Sequence, residues 1–487
     1  MGFVNKVNRK LITYLLGLQI IALATICLLP IVFAFHYNES TQIQGFIICF
    51  VLYLLIGICI LYANKDFHLP ISKKDGQIIV GLLWIVIPTL GALPYLVATR
   101  GFSVNEALFE SFSGFTTTGS TIIKDLSSVS KSLLVYRSLT QWVGGLGFAV
   151  VIILTLRNRA RLMMNIFNAE FSSVYKNRMY PHLSDIALRI LIVYLSLTLL
   201  CFGLLSFGSM DVFQALCHSF STIATGGFST ENGNIGVFSD SYTIYVITLM
   251  MFLAGISYFV FIRMFRFDFK VLKDNQFISY ISYILVISLL FVLYAFYRGD
   301  TNLTENIKNS IFYVVSVLST TGYDIHNYGN NTFVSTILIF LMFMGGCSAS
   351  SASGLKIIRI IQVFRYAKVS MNKIFHPYAL LPIKYNGKTV SDEEMKNTLS
   401  FFFLYIVIFV FGVLLLSCLG NAFDVSITLS IANLGNIGPV VGDYLKDFSY
   451  AYLNIPTQIV LILLMVIGRL EIFAFFALFS KSVWKKD

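Results

Sequence analysis

Charge is what this 487-residue chain has least of. Only 12% of it is Asp, Glu, Lys or Arg, against about 25% in a soluble domain. With 57% apolar residues and a mean hydropathy of +0.78, that shortage excludes an ordinary water-soluble globule and indicates an integral membrane protein. The seven cysteines (Cys27, Cys49, Cys59, Cys201, Cys217, Cys347 and Cys418) are scattered, mostly through apolar stretches, without a Cys-x-x-Cys pair. They read as small buried residues and exclude a disulfide framework or a zinc site. No His/Asp, Ser/Lys or metal-spaced constellation stands in the apolar segments, which argues against a membrane enzyme such as an acyltransferase or intramembrane protease. The first apolar run, Leu11 to Phe35, is too long for a signal-peptide core and lacks a small-residue cleavage site, so it reads as a retained span.

The charge that is present carries topology. The net charge is +11. Most Lys and Arg fall at Lys6, Arg9 and Lys10, within 64–75, 157–182, 263–274 and 355–396, and at Lys481, Lys485 and Lys486. Even numbers of expected spans separate these segments. Only Arg100, Lys124, Lys131, Arg137, Arg298, Lys308 and Lys446 belong to the opposite face. Basic residues retained in the cytoplasm are the usual orientation signal. Both termini are therefore expected in the cytoplasm, and a nucleic-acid partner is not.

Ten apolar stretches meet the length of a span: 11–35, 44–63, 76–98, 134–156, 184–208, 242–265, 276–297, 332–371 (interrupted), 398–419 and 456–481. Four shorter ones, 105–116, 211–223, 305–319 and 422–433, correspond to helices of about 18 Å, too short to cross and suited to re-entrant pore helices. Asn105, Asp211, Thr304 and Asp424 stand in or beside their N-cap positions. The expected fold is an all-α integral membrane protein. A two-span extension occupies 1–73, and four pseudo-repeated span–pore helix–span modules around one pore follow at 74–160, 183–268, 274–372 (its second span interrupted) and 396–487. The basic linkers 157–182 and 372–396 could dock a soluble partner.

A glycine loop follows each short helix: Phe115-Thr116-Thr117-Thr118-Gly119-Ser120, Thr222-Ile223-Ala224-Thr225-Gly226-Gly227, Ser319-Thr320-Thr321-Gly322-Tyr323 and Asn436-Ile437-Gly438-Pro439. Their spacing is on the order of one hundred residues, too long for a solenoid repeat. Non-helical backbone at membrane depth survives only buried in protein or facing water. Four such loops on one axis can replace a cation's hydration shell with carbonyls, and glycine tolerates the backbone angles this requires. The candidate filter residues are Thr117, Thr118 and Gly119; Ala224, Thr225 and Gly226; Thr320, Thr321 and Gly322; and Asn436, Ile437 and Gly438. No acidic ring occupies the loops, which favours a partly dehydrated monovalent ion over calcium or magnesium. The fourth loop departs most, having no threonine and a φ-fixing Pro439. It predicts a less symmetric site with moderate discrimination against sodium.

Two features read as gates. Small and polar residues interrupt the span from Met344 to Lys356, making Gly345, Gly346, Ser350, Gly354 and Lys356 candidates; close helix packing by small residues is the alternative. Arg469 lies about 16 Å into the last span, counted from Gln458. It reads either as a buried ion-pair partner or as a fixed charge opposing cations. Glu471 is two residues away, a spacing that does not face Arg469 on a helix. His218 reads as a helix-packing hydrogen-bonder, and Glu110 as a group bonding backbone amides near the loops.

The segments F-E-S-F-S-G-F-T-T-T-G-S, H-S-F-S-T-I-A-T-G-G-F-S, G-R-L-E-I-F and H-P-Y-A-L-L-P-I-K-Y-N-G-K (376–388) resemble the Trk/Ktr/HKT superfamily of potassium transporters, and the last is similar to its Trk branch. The resemblance covers nearly the whole chain. It implies four unequal modules around one pore, a homodimer in a bacterial cytoplasmic (inner) membrane, and control by a cytosolic nucleotide-binding ring of the TrkA type. The nucleotide is expected on that ring, with no cofactor on this chain and potassium as substrate. Glycine rather than serine at Gly119 implies potassium over sodium. The resemblance also matches 344–356 to an intramembrane loop that obstructs the pore, and Arg469 to an arginine beneath the filter. The expected function is channel-like potassium uptake; a proton- or sodium-coupled symporter is the alternative.

Overall fold

The computed structural model describes residues 8–65, 73–99, 101–148, 150, 183–238, 240–325, 332–376, 378–379, 381–438, 449–470 and 472–479. The chain begins with α1 (Arg9–Ile26), α2 (Leu28–His36) and α3 (Ser40–Ala63), followed by α4 (Lys73–Gly91) and the short α5 (Leu93–Val97). Next come α6 (Val104–Phe115), α7 (Lys131–Leu146), α8 (Leu183–Leu205) and α9 (Val212–Ile223). A bent pair, α10 (Ser241–Ala254) and α11 (Tyr258–Met264), precedes α12 (Asn275–Tyr297), α13 (Leu303–Leu318) and α14 (Thr332–Met342). The last third holds α15 (Ile357–Phe375), α16 (Asp392–Cys418), α17 (Phe423–Leu434), α18 (Ile455–Arg469) and α19 (Phe473–Phe479). Strand structure among the described residues is confined to two-residue pairs, Met344–Gly345 with Leu355–Lys356 in parallel and Lys384–Tyr385 with Lys388–Thr389 in antiparallel.

Among the described residues, six stretches are long and apolar enough to cross a membrane, or eight if each of two bent pairs counts as one span. The ten expected spans are therefore not all single helices. Between α10 and α11 the chain turns by 92° at Gly255–Ser257, and between α18 and α19 by 114°. The stretch 332–371 divides at Met342, and the helix in 134–156 breaks after Leu146, where Gly147 takes φ +85°. Apolar composition fixes the length of a run, whereas these breaks come from small residues inside it whose backbone groups find partners elsewhere. The linker 157–182, Pro439 and Glu471 lie outside the described residues.

The four short helices α6, α9, α13 and α17 fall on the four expected half-spans, with lengths of 12, 12, 16 and 12 residues. Asp211 caps α9 as expected, its carboxylate accepting from Gln214 N in a capping box. Ser103 rather than Asn105 does so for α6; Asn302 and Ala422 precede the other two without a side-chain cap bond.

Polar side chains from neighbouring helices pin the end of α4 in the core. Pro88 inside α4 removes one amide donor. The carbonyls around it are taken up by side chains from other helices: Ser111 Oγ on Pro88 O (2.6 Å), Tyr53 Oη on Leu90 O (2.6 Å) and Tyr136 Oη on Gly91 O (2.8 Å). α7 passes so near the ends of α6 and α9 that a Cβ on Gly144 would lie 1.8 Å from Phe115 O, and one on Gly145 would lie 2.7 Å from Ala224 Cα.

The same substitution should therefore behave oppositely at two helical glycines. Gly144→Ala forces backbone apart and should cost about 1–3 kcal/mol. Gly203→Ala in α8, where no atom lies within 4 Å of the new methyl, should be neutral or stabilise by up to about 1 kcal/mol. Melting of the two purified variants in detergent checks this, and equal shifts would refute the packing argument.

Candidate cation site

Each short helix ends in the same local geometry. Thr117, Thr225, Thr320 and Asn436 adopt left-handed φ values of 54°, 53°, 58° and 52°, and a glycine two residues later does so again: Gly119, Gly227, Gly322 and Gly438, at 84°, 78°, 74° and 91°. Between them, Thr118 N, Gly226 N, Thr321 N and Ile437 N each reach back to a carbonyl of the helix: Ser113 (2.9 Å), Ser221 (2.8 Å), Ser316 (2.9 Å) and Ala432 (2.9 Å). This is the Schellman closure, here with threonine or asparagine in the place glycine usually takes. Left-handed backbone is strained for a β-branched residue, and three such threonines recur at one point of the fold.

The geometry moves the second loop by one residue. Ala224 is the helical cap of α9, with φ −70° and ψ −11°, so the expected set Ala224, Thr225, Gly226 begins one residue early. The residues equivalent to Thr117-Thr118-Gly119 are Thr225, Gly226 and Gly227. Reading the loops by their first glycine pairs Gly226 with Gly119; reading them by their threonines pairs Gly227 with it, as the backbone angles do.

The loops touch in chain order. A Cβ on Gly119 would lie 2.3 Å from Gly226 O, one on Gly227 2.0 Å from Thr321 O, and one on Gly438 2.3 Å from Thr118 O. The fourth loop thus abuts the first, the first the second and the second the third. In each case the middle carbonyl of one loop fills the space where the neighbour's glycine would carry a side chain. That is the steric reason for glycine, beyond its tolerance of positive φ.

Buried carbonyls accompany this contact. Thr117, Thr225, Thr320 and Asn436 are at most 1% exposed, and among the described residues their carbonyls accept no hydrogen bond. The carbonyls of Gly119, Gly227 and Gly322 also accept none. The fourth glycine differs: Gly438 O accepts from Tyr450 Oη and, at 3.4 Å, from Ser120 Oγ. Buried backbone carbonyls are nearly always paired, so a set of unpaired ones is chemically suited to a desolvated cation.

Polar side chains hold the loops from behind. Glu110 and Arg137 form an ion pair, 0% and 3% exposed. Glu110 accepts from Ile122 N (2.9 Å), as expected of it, and Arg137 donates to Ser229 O (2.7 Å) and covers the Phe228 ring at 3.5 Å. His218 bonds Gln214 O (2.8 Å) and Ser229 Oγ (3.1 Å), a packing role. Asn436 Nδ2 donates to Thr118 Oγ1 (2.9 Å) and Met465 O (3.0 Å), tying the fourth loop to the first and to α18. Farther along, Asn232 joins the loops after Gly119 and Gly227 by bonding Leu126 N (2.6 Å) and Asp125 Oδ1 (2.8 Å). Hydrogen bonds from Ser127 and Asn232 hold the Asp125 carboxyl below the usual range.

The interrupted segment is a tight excursion. Gly345 packs against Ser353 O, Gly346 against Gly255 O and Ala352, and Ser350 Oγ donates to Cys347 O (2.7 Å). Gly354 has φ +70°, and Lys356 Nζ donates to Ala352 O. Arg469 reaches the same segment, donating to Ser351 O (2.9 Å) and Ser353 Oγ (2.7 Å), and its other nitrogen donates to Gly144 O (2.7 Å). Ser350, Gly354, Lys356 and Arg469 line one recess with Tyr258. The excursion also contacts the loops: Ser353 N donates to Thr320 Oγ1 (2.9 Å), and Ser351 Oγ donates to Ile223 O (3.0 Å). Ser351 and Ser353 had no distinguishing signal within a run of serines and alanines.

Fold and site together define a polytopic helical membrane transport protein. Residues 42–486 match the family described as TrkH, cation transport protein. The Trk system potassium uptake protein TrkH of Salmonella typhimurium is 30% identical over 484 residues, covering 98% of this chain and 99% of that protein. Its namesake from Vibrio parahaemolyticus is 31% identical over 97% of this chain and 98% of its own length. The crystal structure of the potassium transporter TrkH from Vibrio parahaemolyticus superposes with a TM-score of 0.89 at 28% identity, covering 98% of this chain and 99% of that one. The chain belongs to the TrkH family of cation transport proteins.

The one-residue register has a measurable consequence. Gly227→Ala places a methyl 2.0 Å from the backbone oxygen of Thr321, at positive φ, and should lower rubidium uptake by at least about a hundredfold. At Gly226→Ala the three nearest atoms to the new methyl belong to the side chain of Gln141 rather than to backbone, and this variant should retain measurable uptake. The reverse order would restore Gly226 to the place of Gly119.

Proposed function

We propose that this chain is a channel-like potassium uptake protein in which four unequal modules surround one pore and the four loops form a backbone-carbonyl filter. The observation that carries the reading is the set of buried, unbonded carbonyls, one at each left-handed threonine or asparagine, in loops that abut in chain order. Two of the most similar relatives are named potassium uptake proteins, which supports potassium as the ion. The ligands are neutral oxygens, as expected for a weakly hydrated monovalent cation rather than a divalent one. The short helices direct their C-terminal dipole ends at the loops, which favours positive charge there.

In the same reading the excursion 345–356 gates the pore. Its contacts with Thr320 and Ile223 support this reading, as does the positive charge that Arg469 brings to the same segment. Control by a cytosolic nucleotide-binding ring, homodimeric assembly and a bacterial inner-membrane location with both termini inside complete the proposal. The apolar side chains left exposed on α15, including Phe364, Ile374 and Phe375, offer a surface for such assembly.

Rubidium flux into liposomes with and without a proton gradient tests the function. A saturable, electrogenic flux that persists without the gradient is expected. A strictly proton-dependent or electroneutral flux would replace the pore with a coupled symporter. Arg469→Ala should raise flux under resting conditions by on the order of tenfold, the effect of about 1.4 kcal/mol of barrier. Unchanged or lower flux in correctly inserted protein would remove the barrier role. Shortening 346–354 should likewise raise resting flux.

A further inference from the structure

The second loop carries two glycines where the others carry Thr118-Gly119, Thr321-Gly322 and Ile437-Gly438. The first of the pair, Gly226, needs no positive φ. Its cause is a side chain from another part of the chain. A Cβ at Gly226 would lie 2.4 Å from Gln141 Cδ, 2.5 Å from its Oε1 and 2.7 Å from its Nε2. The amide of Gln141 occupies that volume.

Gln141 is completely buried on α7. Its Nε2 donates to Gly226 O (2.6 Å), and its Oε1 accepts from Phe228 N (3.1 Å). Because Phe228 N can only donate, the amide orientation is fixed by the network. The two bonds bracket Gly227, whose own carbonyl accepts no hydrogen bond among the described residues. No other described side chain grips a loop glycine from both flanks.

The clamp belongs to a rack. Arg137, Gln141 and Gly145 recur at i, i+4 and i+8 on one face of α7, spanning about 12 Å. They meet the second loop in order along its length: Arg137 at Ser229 O, Gln141 at Phe228 and Gly226, and Gly145 at Ala224. A rigid helix of the first module thus templates the loop of the second.

We propose that Gln141 is a specificity-determining positioning residue: its amide fixes the Gly227 carbonyl as a ligand for the monovalent cation. The proposal rests on the reading of the loops as a cation filter. Without the amide, Gly226 O and Phe228 N lose their partners, and the peptide on either side of Gly227 rotates to find others. The carbonyl then no longer holds its distance from the ion, and size discrimination falls.

Full-length protein carrying Gln141→Met, of similar volume but without an amide, tests this in liposomes. The readouts are the KM for rubidium and the sodium concentration that halves rubidium uptake, with maximal flux normalised to folded protein. The expected result is a KM raised by about tenfold, as for one or two lost hydrogen bonds, and a comparable loss of discrimination against sodium. Unchanged KM and discrimination, with maximal flux falling only as folded protein falls, would make Gln141 merely structural and overturn the proposal. If the methionine variant yields too little protein, Gln141→Asn, an amide one methylene short, should move both readouts in the same direction, and no movement overturns the proposal equally. Absence of saturable rubidium uptake in the unmodified protein would instead overturn the underlying filter reading.

Discussion

Everything at the centre of this molecule depends on one steric exchange: a backbone carbonyl of one loop stands where the next loop's glycine would carry a side chain. Three such contacts, at Gly119, Gly227 and Gly438, bring the four loops to one place without any side chain between them. Close approach of this kind leaves carbonyls that neither a helix nor a sheet can pair. The cost of burying them is several kcal/mol per group in an apolar medium, and in this fold it falls on the left-handed threonine or asparagine of every loop and on the glycine of three. The surrounding core is organised to bear it. The Glu110–Arg137 pair, Asn436 and Gln141 anchor the loop backbones from outside, so that the unpaired oxygens stay where they are.

The four loops are nevertheless not equivalent, and the differences have separate physical origins. The second has an amide clamp and pays with glycine at 226. The fourth replaces threonine with Asn436, whose side chain turns away to Thr118 and Met465, and its glycine carbonyl is engaged by Tyr450. The sequence departure at Asn436-Ile437-Gly438 therefore coincides with a different hydrogen-bond environment, and a site built from these loops has unequal ligand strengths around its circumference.

Composition and apolar run length made the helical membrane fold legible, because a span needs a set number of apolar residues and a half-span about half as many. The short helices α6, α9, α13 and α17 lie within a residue or two of the segments expected for them. What run length could not show is where a span breaks. The turn at Gly255–Ser257 is stabilised by contacts from residues about ninety positions away in the chain, Cys347 N donating to Gly255 O and Ala349 O accepting from Tyr258 N. Such pairings carry no local signal. The register of the second loop was hidden for a similar reason: the side chain of Gln141, some 85 residues earlier, fills the space a Cβ at Gly226 would need, so the residue that looks like the loop's turn glycine is the one making room for a clamp. Arg469 was recognisable as a costly charge at depth, but its bonds to two carbonyls and a serine hydroxyl were not, because uncharged acceptors cannot be singled out by inspection of the chain.

That choice of partners matters for what the arginine can do. Hydrogen bonds to neutral oxygens hold a guanidinium in place without themselves adding a counter-charge, and a low-dielectric surround screens its charge weakly. The bonds to Ser351, Ser353 and Gly144 thus fix the position of the charge without cancelling it through those contacts. They also join it mechanically to the loops, because Ser353 donates its amide to Thr320 Oγ1 while its hydroxyl accepts from Arg469. Movement of the 346–354 excursion therefore disturbs, in a single step, the placement of a positive charge and the support of a left-handed threonine. In the function proposed above, permeation barrier and ion coordination are then two consequences of one hydrogen-bonded chain running from α18 to the third loop, and neither changes without the other.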